Sequence, residues 1–187
     1  MSYTESERQQ LLYIARESIR SGLTEGRPLE IVQEKLSESL QEKRATFVTL
    51  NEDGKLRGCV GTITPCLSLA QDVAQRAYSA AFGDPRFPRV QPDEVDSLVI
   101  GIAVLTPLEA IHFANEAELL EQIQPNIDGL ILHAGSTHRG LFLPNAWETL
   151  PDKQQLLQQL KLRAGLPKDY WSDELKVSRF HAEYMQA

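Results

Sequence analysis

Residues 45–62, with the sequence ATFVTLNEDGKLRGCVGT, predict a β-hairpin around which the rest of the fold is arranged. The run 45–50 is rich in β-branched and aromatic side chains, and the turn 51–54 ends in a glycine, which tolerates positive φ. Residues 56–62 therefore lie on the returning strand. Because side chains alternate between the faces of a strand, we expect Arg57, Cys59 and Gly61 on one face, with the first two about 7 Å apart.

Cys59 has two interpretations in this setting. Cysteine is often buried as a small hydrophobe, and Gly58 and Gly61 would then permit close packing of a helix. Alternatively, the glycines mark the close approach of a ligand, and the cation at Arg57 favours the reactive thiolate. Both interpretations stay open at this point. The second cysteine, Cys66, has no histidine cluster near it, so the sequence indicates no metal site.

Composition bounds the class of protein. The chain has 187 residues, of which 42% are hydrophobic, and this favours one globular domain over residues 1–187. Two cysteines and an amino-terminal stretch without an apolar run favour a cytoplasmic protein with no signal peptide and no membrane span. The formal net charge of -7 opposes general binding of nucleic acid, which requires a basic surface.

Hydrophobic periodicity predicts the helices and the remaining strands. Apolar residues at helical spacing predict helices over 6–21, 67–81, 115–124 and 153–164, and a weaker, partly extended stripe over 28–43. Gly22 and Gly83 are expected to end the first two helices. Strands are predicted over 97–105, 130–134, 139–143 and 174–184, the first of them central and covered on both faces. The pattern predicts an α+β fold, with a smaller lobe built from the chain ends.

Residues 84–88, with the sequence DPRFP, form a rigid segment because two prolines fix φ and bias the residues before them to extended geometry. The segment is either a structural loop with an internal Asp84–Arg86 pair and a buried Phe87, or a loop that contacts a ligand. Because the preceding helix is long enough to run back across the sheet, we expect this segment to return to the strand over 56–62 and to place Arg86 within about 10 Å of Cys59.

Trp147 and Trp171 each follow a proline-containing segment, and these segments flank the helix that begins after Asp152. We expect both indole rings to be largely buried and to hold this helix against the domain. Replacing either by alanine is expected to cost about 3 kcal/mol if the ring is fully packed.

Three motifs together resemble the AMMECR-type domain family: LRGCVG at 56–61, AAFGDPRF at 80–87, and DGL at 128–130 with GLFLP at 140–144. The resemblance covers nearly the whole chain. It implies an α+β fold with a mainly antiparallel sheet, flanking helices, a smaller second lobe and a cleft near the hallmark. Val60 stands where isoleucine is commoner, and Asn145 where many relatives carry glutamine. Bacterial relatives are often encoded beside a Memo-like protein and a radical S-adenosylmethionine protein, which the resemblance implies as partners.

Two functional hypotheses follow. In the first, the protein is an enzyme in which Cys59 is a thiolate nucleophile, Arg57 stabilises it or binds an anionic substrate, and His133, or else His138, is the general base. In the second, the protein is a non-catalytic module for a small anionic ligand or a protein partner. The contact surface would then consist of Arg57, Asp84, Arg86 and the main chain at Gly58 and Gly61. Neither hypothesis calls for a cofactor.

Overall fold

Two four-stranded antiparallel sheets, each with its own helices, form the framework of the protein. The computed structural model describes residues 2–187 and divides into two units, the first running to Leu105 and including Glu183–Ala187, the second comprising Thr106–Ala182. The predicted α+β class with a smaller second lobe is confirmed. That lobe is the inner part of the chain, however, and both ends belong to the larger unit, so its predicted origin in the chain ends is wrong.

The sheet of the first unit has the strand order β2-β1-β3-β8. Its strands are β1 (Thr46–Glu52), β2 (Lys55–Gly61), β3 (Val99–Leu105) and β8 (Ala182–Gln186). The predicted hairpin is confirmed as β1 and β2, with the turn at Asp53 and Gly54 in positive φ. Strand β3 is central as predicted, but Val99 is 41% exposed, so this strand is not covered along its whole length on both faces.

Helices α1 (Glu5–Glu25) and α3 (Leu69–Phe82) pack on one face of this sheet. The predicted end of α1 at Gly22 is wrong, because this glycine lies inside the helix against the Phe82 ring, and Gly26 with φ 70° ends it. Helix α3 begins after a Ser68 capping box, two residues later than the predicted start at residue 67. The weak stripe over 28–43 forms only a 3₁₀ turn (Gln33–Lys35) and the short α2 (Glu38–Gln41).

The sheet of the second unit has the order β4-β7-β5-β6, in which every adjacent pair is antiparallel. Its strands are β4 (Glu109–Ile111), β5 (Gly129–Ala134), β6 (His138–Phe142) and β7 (Leu175–Phe180). Helices α4 (Glu116–Gln122) and α5 (Lys153–Arg163) accompany it, with a 3₁₀ turn over Pro144–Glu148. The predicted single late strand is two strands in different sheets, since β7 and β8 part at His181.

The two tryptophans differ in burial. Trp147 is 2% exposed in the core of the second unit, and its Nε1 donates to the Asp128 carbonyl oxygen at 2.7 Å, so its predicted burial is confirmed. Trp171 is only half-buried at the edge of the same core, where its ring meets Phe113 at a centroid distance of 5.6 Å. Trp171 is therefore less deeply buried than Trp147. No helix within residues 2–187 combines the length and the apolar character needed to cross a membrane.

Candidate functional site

Arg57 is the extra residue of a β-bulge. Leu56 pairs with Asn51 and Gly58 pairs with Leu50, which leaves Arg57 without a partner on β1. The alternation of side chains between the two faces of β2 is therefore interrupted at Arg57. The prediction that Arg57 and Cys59 share a face rested on unbroken alternation and is not supported.

The guanidinium of Arg57 is buried and fully engaged. Its Nε and Nη2 donate to the two carboxylate oxygens of Glu94 at 2.7 and 3.0 Å, and its Nη1 donates to the Pro88 carbonyl oxygen at 2.8 Å. The same pair lowers the pKa of Glu94, chiefly through the hydrogen bonds from Arg57. The expectation that Arg57 supplies a cation for a Cys59 thiolate is corrected accordingly, because Glu94 neutralises its charge.

Cys59 lies in a row of three residues across the sheet. It pairs with Thr49 on β1, which pairs in turn with Gly101 on β3. Partnered residues point to the same face, and the alternate residues Val48 and Leu50 are buried in the core with α3, so the row lies on the face away from α3. The Cys59 Sγ is 3.2 Å from the Thr49 Oγ1, and all three residues of the row are half-buried.

Gly101 leaves a recess in this row. A Cβ added there would meet only two atoms of Thr49, at 3.8 and 4.0 Å, which is ordinary contact, so packing among residues 2–187 does not require a glycine at this position. The adjoining row consists of Leu56, Asn51 and Val99, whose two apolar side chains are 42% and 41% exposed. The face thus offers a thiol, a hydroxyl and a small recess beside an apolar margin.

The segment 84–87 covers the open edge of β2 at Cys59, and the predicted proximity of Arg86 and Cys59 is confirmed. The buried Asp84 Oδ2 accepts the Cys59 N–H at 2.9 Å, and Arg86 Nη2 donates to the Cys59 carbonyl oxygen at 3.3 Å. Arg86 also donates to Asp84 through Nε at 2.9 Å and Nη2 at 2.6 Å. These main-chain groups belong to an edge strand and would otherwise lack a partner.

Asp84 and Arg86 are both held in their ionised forms. Hydrogen bonds from Arg86, and then from the main chain of Cys59 and of Arg86, hold the pKa of Asp84 far below its ordinary value of 3.8. The pKa of Arg86 is raised, mainly by its hydrogen bonds to Asp84, and a Cys59 thiolate adds to the shift. Arg86, whose side chain is 54% exposed, is therefore the partly exposed cation next to Cys59, whereas the Arg57 side chain is buried.

The two glycines of the hallmark lie against neighbouring atoms. A Cβ at Gly58 would lie 2.2 Å from the Ala80 carbonyl oxygen of α3, and one at Gly61 would lie 2.2 Å from the Phe47 ring. Close packing accounts for both positions. The space that a ligand would need beside these α-carbons is occupied, and their part in binding stays a prediction.

His133 belongs to the second unit, in β5. Burial, followed by the charges of Arg139 and Lys176, lowers its pKa, so the ring is neutral at pH 7. That is the state a general base requires, and the catalytic role of His133 stays a prediction. His138 lies on β6 and contacts the Ala164 carbonyl oxygen through Nδ1 at 3.1 Å. Within residues 2–187, no three His, Cys, Asp or Glu side chains are grouped to hold a metal ion.

Thr49, Glu94 and Gly101 were missed by the sequence reasoning. Thr49 follows from counting the hairpin back from its turn, but only if the bulge at Arg57 is known. Gly101 lies inside the predicted strand over 97–105, but nothing in the sequence indicates that it pairs with Thr49. Glu94 carries no local signal, because nothing in a chain segment of ordinary acidic residues indicates which carboxylate a distant arginine will bind.

Comparison with known proteins agrees with the motifs. The family model described as AMMECR1 matches residues 12–185. A protein of Methanothermobacter thermautotrophicus is 38% identical over 92% of this chain and 90% of its own, and one of Methanocaldococcus jannaschii is 41% identical over 84% and 80%. The crystal structure of an uncharacterised protein from Pyrococcus horikoshii superposes with a TM-score of 0.89 at 34% identity, covering 98% of this chain and 92% of that one. The chain belongs to the AMMECR1 family.

Proposed function

We propose that the row Thr49, Cys59 and Gly101 is the floor of a binding site for a small anionic ligand, with Arg86 as the cation that attracts it. The observation that carries the proposal is the unfilled position at Gly101 next to the Thr49 hydroxyl, which in turn contacts the half-buried Cys59 thiol. A glycine inside a central strand weakens it, and a ligand group seated over the α-carbon accounts for that cost. The exposed Leu56 and Val99 would contact an apolar part of the ligand.

The geometry of Arg86 supports the choice of an anion. Its Nε and Nη2 are held by Asp84 and the Cys59 carbonyl oxygen, which fixes the plane of the guanidinium. Its Nη1 has no hydrogen bond within residues 2–187 and is left to donate to a carboxylate or phosphoryl oxygen. Arginine suits this task because its donors are planar and permanently charged.

Cys59 either contacts the ligand or reacts with it. The nucleophilic role is the second candidate, and the short contact between Sγ and the Thr49 Oγ1 favours it, since a hydroxyl donor stabilises a thiolate. Whether Cys59 only contacts the ligand or also reacts with it, its thiol lies on the accessible face of the sheet. The first question is therefore whether the charges around the thiol attract anions.

The charge at Cys59 can be read with two alkylating reagents of similar size, the anionic iodoacetate and the neutral iodoacetamide. Peptide mapping by mass spectrometry separates Cys59 from the exposed Cys66, which serves as the reference thiol in the same molecule. We expect the ratio of iodoacetate to iodoacetamide rates to be higher at Cys59 by at most about threefold. A full unit charge about 6 Å away in water changes the energy of an anion by about 0.7 kcal/mol, and the ionised Asp84 offsets part of the Arg86 charge.

The variant Arg86→Gln should bring this ratio down to that of Cys66. The matched control is Arg20→Gln, which removes another partly exposed, ion-paired arginine of the same unit and should leave the ratio unchanged. Equal ratios at the two thiols of the native protein, or a ratio indifferent to Arg86, would contradict the anion site.

The resemblance adds a Memo-like protein and a radical S-adenosylmethionine protein as proposed partners, and with them the alternative of a protein-interaction module. If such a protein covers the Cys59 face, its addition should slow iodoacetamide labelling of Cys59 and leave Cys66 unaffected. If the partner slows the labelling of Cys59 and Arg86→Gln does not change the ratio of iodoacetate to iodoacetamide rates, the interaction module is favoured over the ligand site.

A further inference from the structure

Three basic side chains stand side by side across the second sheet. His133 on β5 pairs with Arg139 on β6 and with Lys176 on β7, so one residue from each of three adjacent strands forms a continuous row. Residues in such register point to the same face, with their Cβ atoms about 5 Å apart.

The row lies on the face of the sheet away from α5. The neighbouring Gly140 packs on that helix, where an added Cβ would lie 2.5 Å from the Leu160 carbonyl oxygen, and alternation places Arg139 on the other side. Arg139 and Lys176 are exposed and His133 is half-buried. The three side chains therefore present one basic strip to solvent.

Placing like charges directly opposite each other on adjacent strands destabilises a sheet. Here the structure offers no compensation: within residues 2–187, neither Arg139 nor Lys176 forms an ion pair or a side-chain hydrogen bond, although acidic residues outnumber basic ones by 26 to 19. The two cations also act on His133: its pKa is lowered first by burial and then by the charges of Arg139 and Lys176.

Glu174 lies near one end of the strip. Its Oε2 lies 3.7 Å from the position of a Cβ on Gly135 in the β5–β6 turn, and it pairs with neither Arg139 nor Lys176. The charges that act on His133 are those of Arg139 and Lys176.

We propose that Arg139, His133 and Lys176 form a second anion site, one that binds the phosphoryl group of a small ligand. Arginine offers a planar fork, lysine a point charge and histidine a further donor once protonated, and together they match the oxygens of a phosphoryl group. The site belongs to the second unit and stands independently of the proposal for Cys59.

Titration of the full-length protein with inorganic pyrophosphate, followed by calorimetry and by the NMR signal of the His133 ring, tests the proposal. We expect binding that weakens about tenfold in Lys176→Gln and in Arg139→Gln, the loss of one charged hydrogen bond. Lys176→Arg should retain it. Lys168→Gln is the matched control, because it removes an exposed lysine of the same unit and should change nothing.

The second readout is the proton on His133. Bound pyrophosphate should raise the pKa of the ring, since it opposes the field of the two cations, and a merely structural row would show no such change. Absence of pyrophosphate binding, or binding that is equal in native protein and in both glutamine variants, would overturn the proposal. A parallel experiment uses phosphatidylcholine vesicles with and without phosphatidic acid. If the vesicles capture the protein only when they contain phosphatidic acid and Lys176 is intact, and pyrophosphate does not bind, the phosphoryl group belongs to a lipid. That result would overturn the proposal of a small ligand.

Discussion

The Asp84 carboxylate, buried beside the edge strand, accepts the main-chain N–H of Cys59 at 2.9 Å and binds Arg86 at the same time. One acidic side chain thus fixes the position of the hallmark cysteine and the orientation of the neighbouring cation. The relationship joins residues 25 positions apart in the chain, and it makes the DPRF segment part of the site rather than a connecting loop.

The first prediction is that Asp84→Asn destabilises the first unit by about 2 kcal/mol at pH 7, because the buried Asp84 side chain loses a charge-assisted hydrogen bond from the half-exposed Arg86. Urea denaturation of the two proteins measures the difference. Asp96→Asn is the control, since that carboxylate is 86% exposed and its pair with Arg20 should contribute under about 1 kcal/mol.

The difference between the native protein and Asp84→Asn should shrink in acid. The folded-state pKa of Asp84 lies below the ordinary 3.8, so as pH falls the unfolded chain takes up the proton first. The stabilisation is therefore complete above the unfolded pKa and is lost as the pH falls from about 4 towards the folded pKa. A difference that stays constant between pH 7 and pH 3 would contradict the assigned state of the carboxylate.

The hairpin and its distance from Arg86 were predictable from sequence because turn chemistry and strand periodicity are local properties. The bulge at Arg57 was not, since it depends on how β2 fits against β1, and it overturned the face assigned to that residue. The same holds for the long-range pair with Glu94. Local patterns place a residue on an element, whereas its charge partner depends on the packing of segments that lie far apart in sequence.

The pair of Arg57 and Glu94 should behave as one unit in a double-mutant cycle. Their side chains are 10% and 19% exposed and joined by two hydrogen bonds, so we expect Arg57→Met and Glu94→Gln each to cost about 2 kcal/mol. The coupling energy should be about 1.5 kcal/mol. The exposed pair of Arg20 and Asp96 provides the reference cycle, and coupling as small as the reference would show that Arg57 is held by the Pro88 carbonyl alone.

The tryptophans should differ in their contribution to stability. Trp147→Ala removes a ring that is 2% exposed together with its hydrogen bond to Asp128, and we expect a loss of about 4 kcal/mol. Trp171→Ala removes a half-buried ring and should cost about 1 to 2 kcal/mol. Guanidinium denaturation of both variants measures this, and equal losses would show that Trp171 is packed as tightly as Trp147.

The glycines of the first sheet provide the sharpest comparison, because Gly58 on β2 and Gly101 on β3 are replaced by the same residue in one sheet. In Gly58→Ala the new methyl group meets the Ala80 carbonyl oxygen at 2.2 Å, a main-chain atom that yields only if α3 shifts, and we expect a loss of about 3 kcal/mol. In Gly101→Ala the methyl group has ordinary contacts at 3.8 and 4.0 Å, so stability should stay within about 1 kcal/mol of the native protein. Gly101→Ala should nevertheless reduce iodoacetate labelling of Cys59 modestly, because a reagent lying along the row over Thr49 would meet the new methyl group two strands away from the thiol. If both variants fold with native stability, Gly58 is not a packing position, and if Gly101→Ala leaves labelling unchanged, the recess plays no part in access to Cys59.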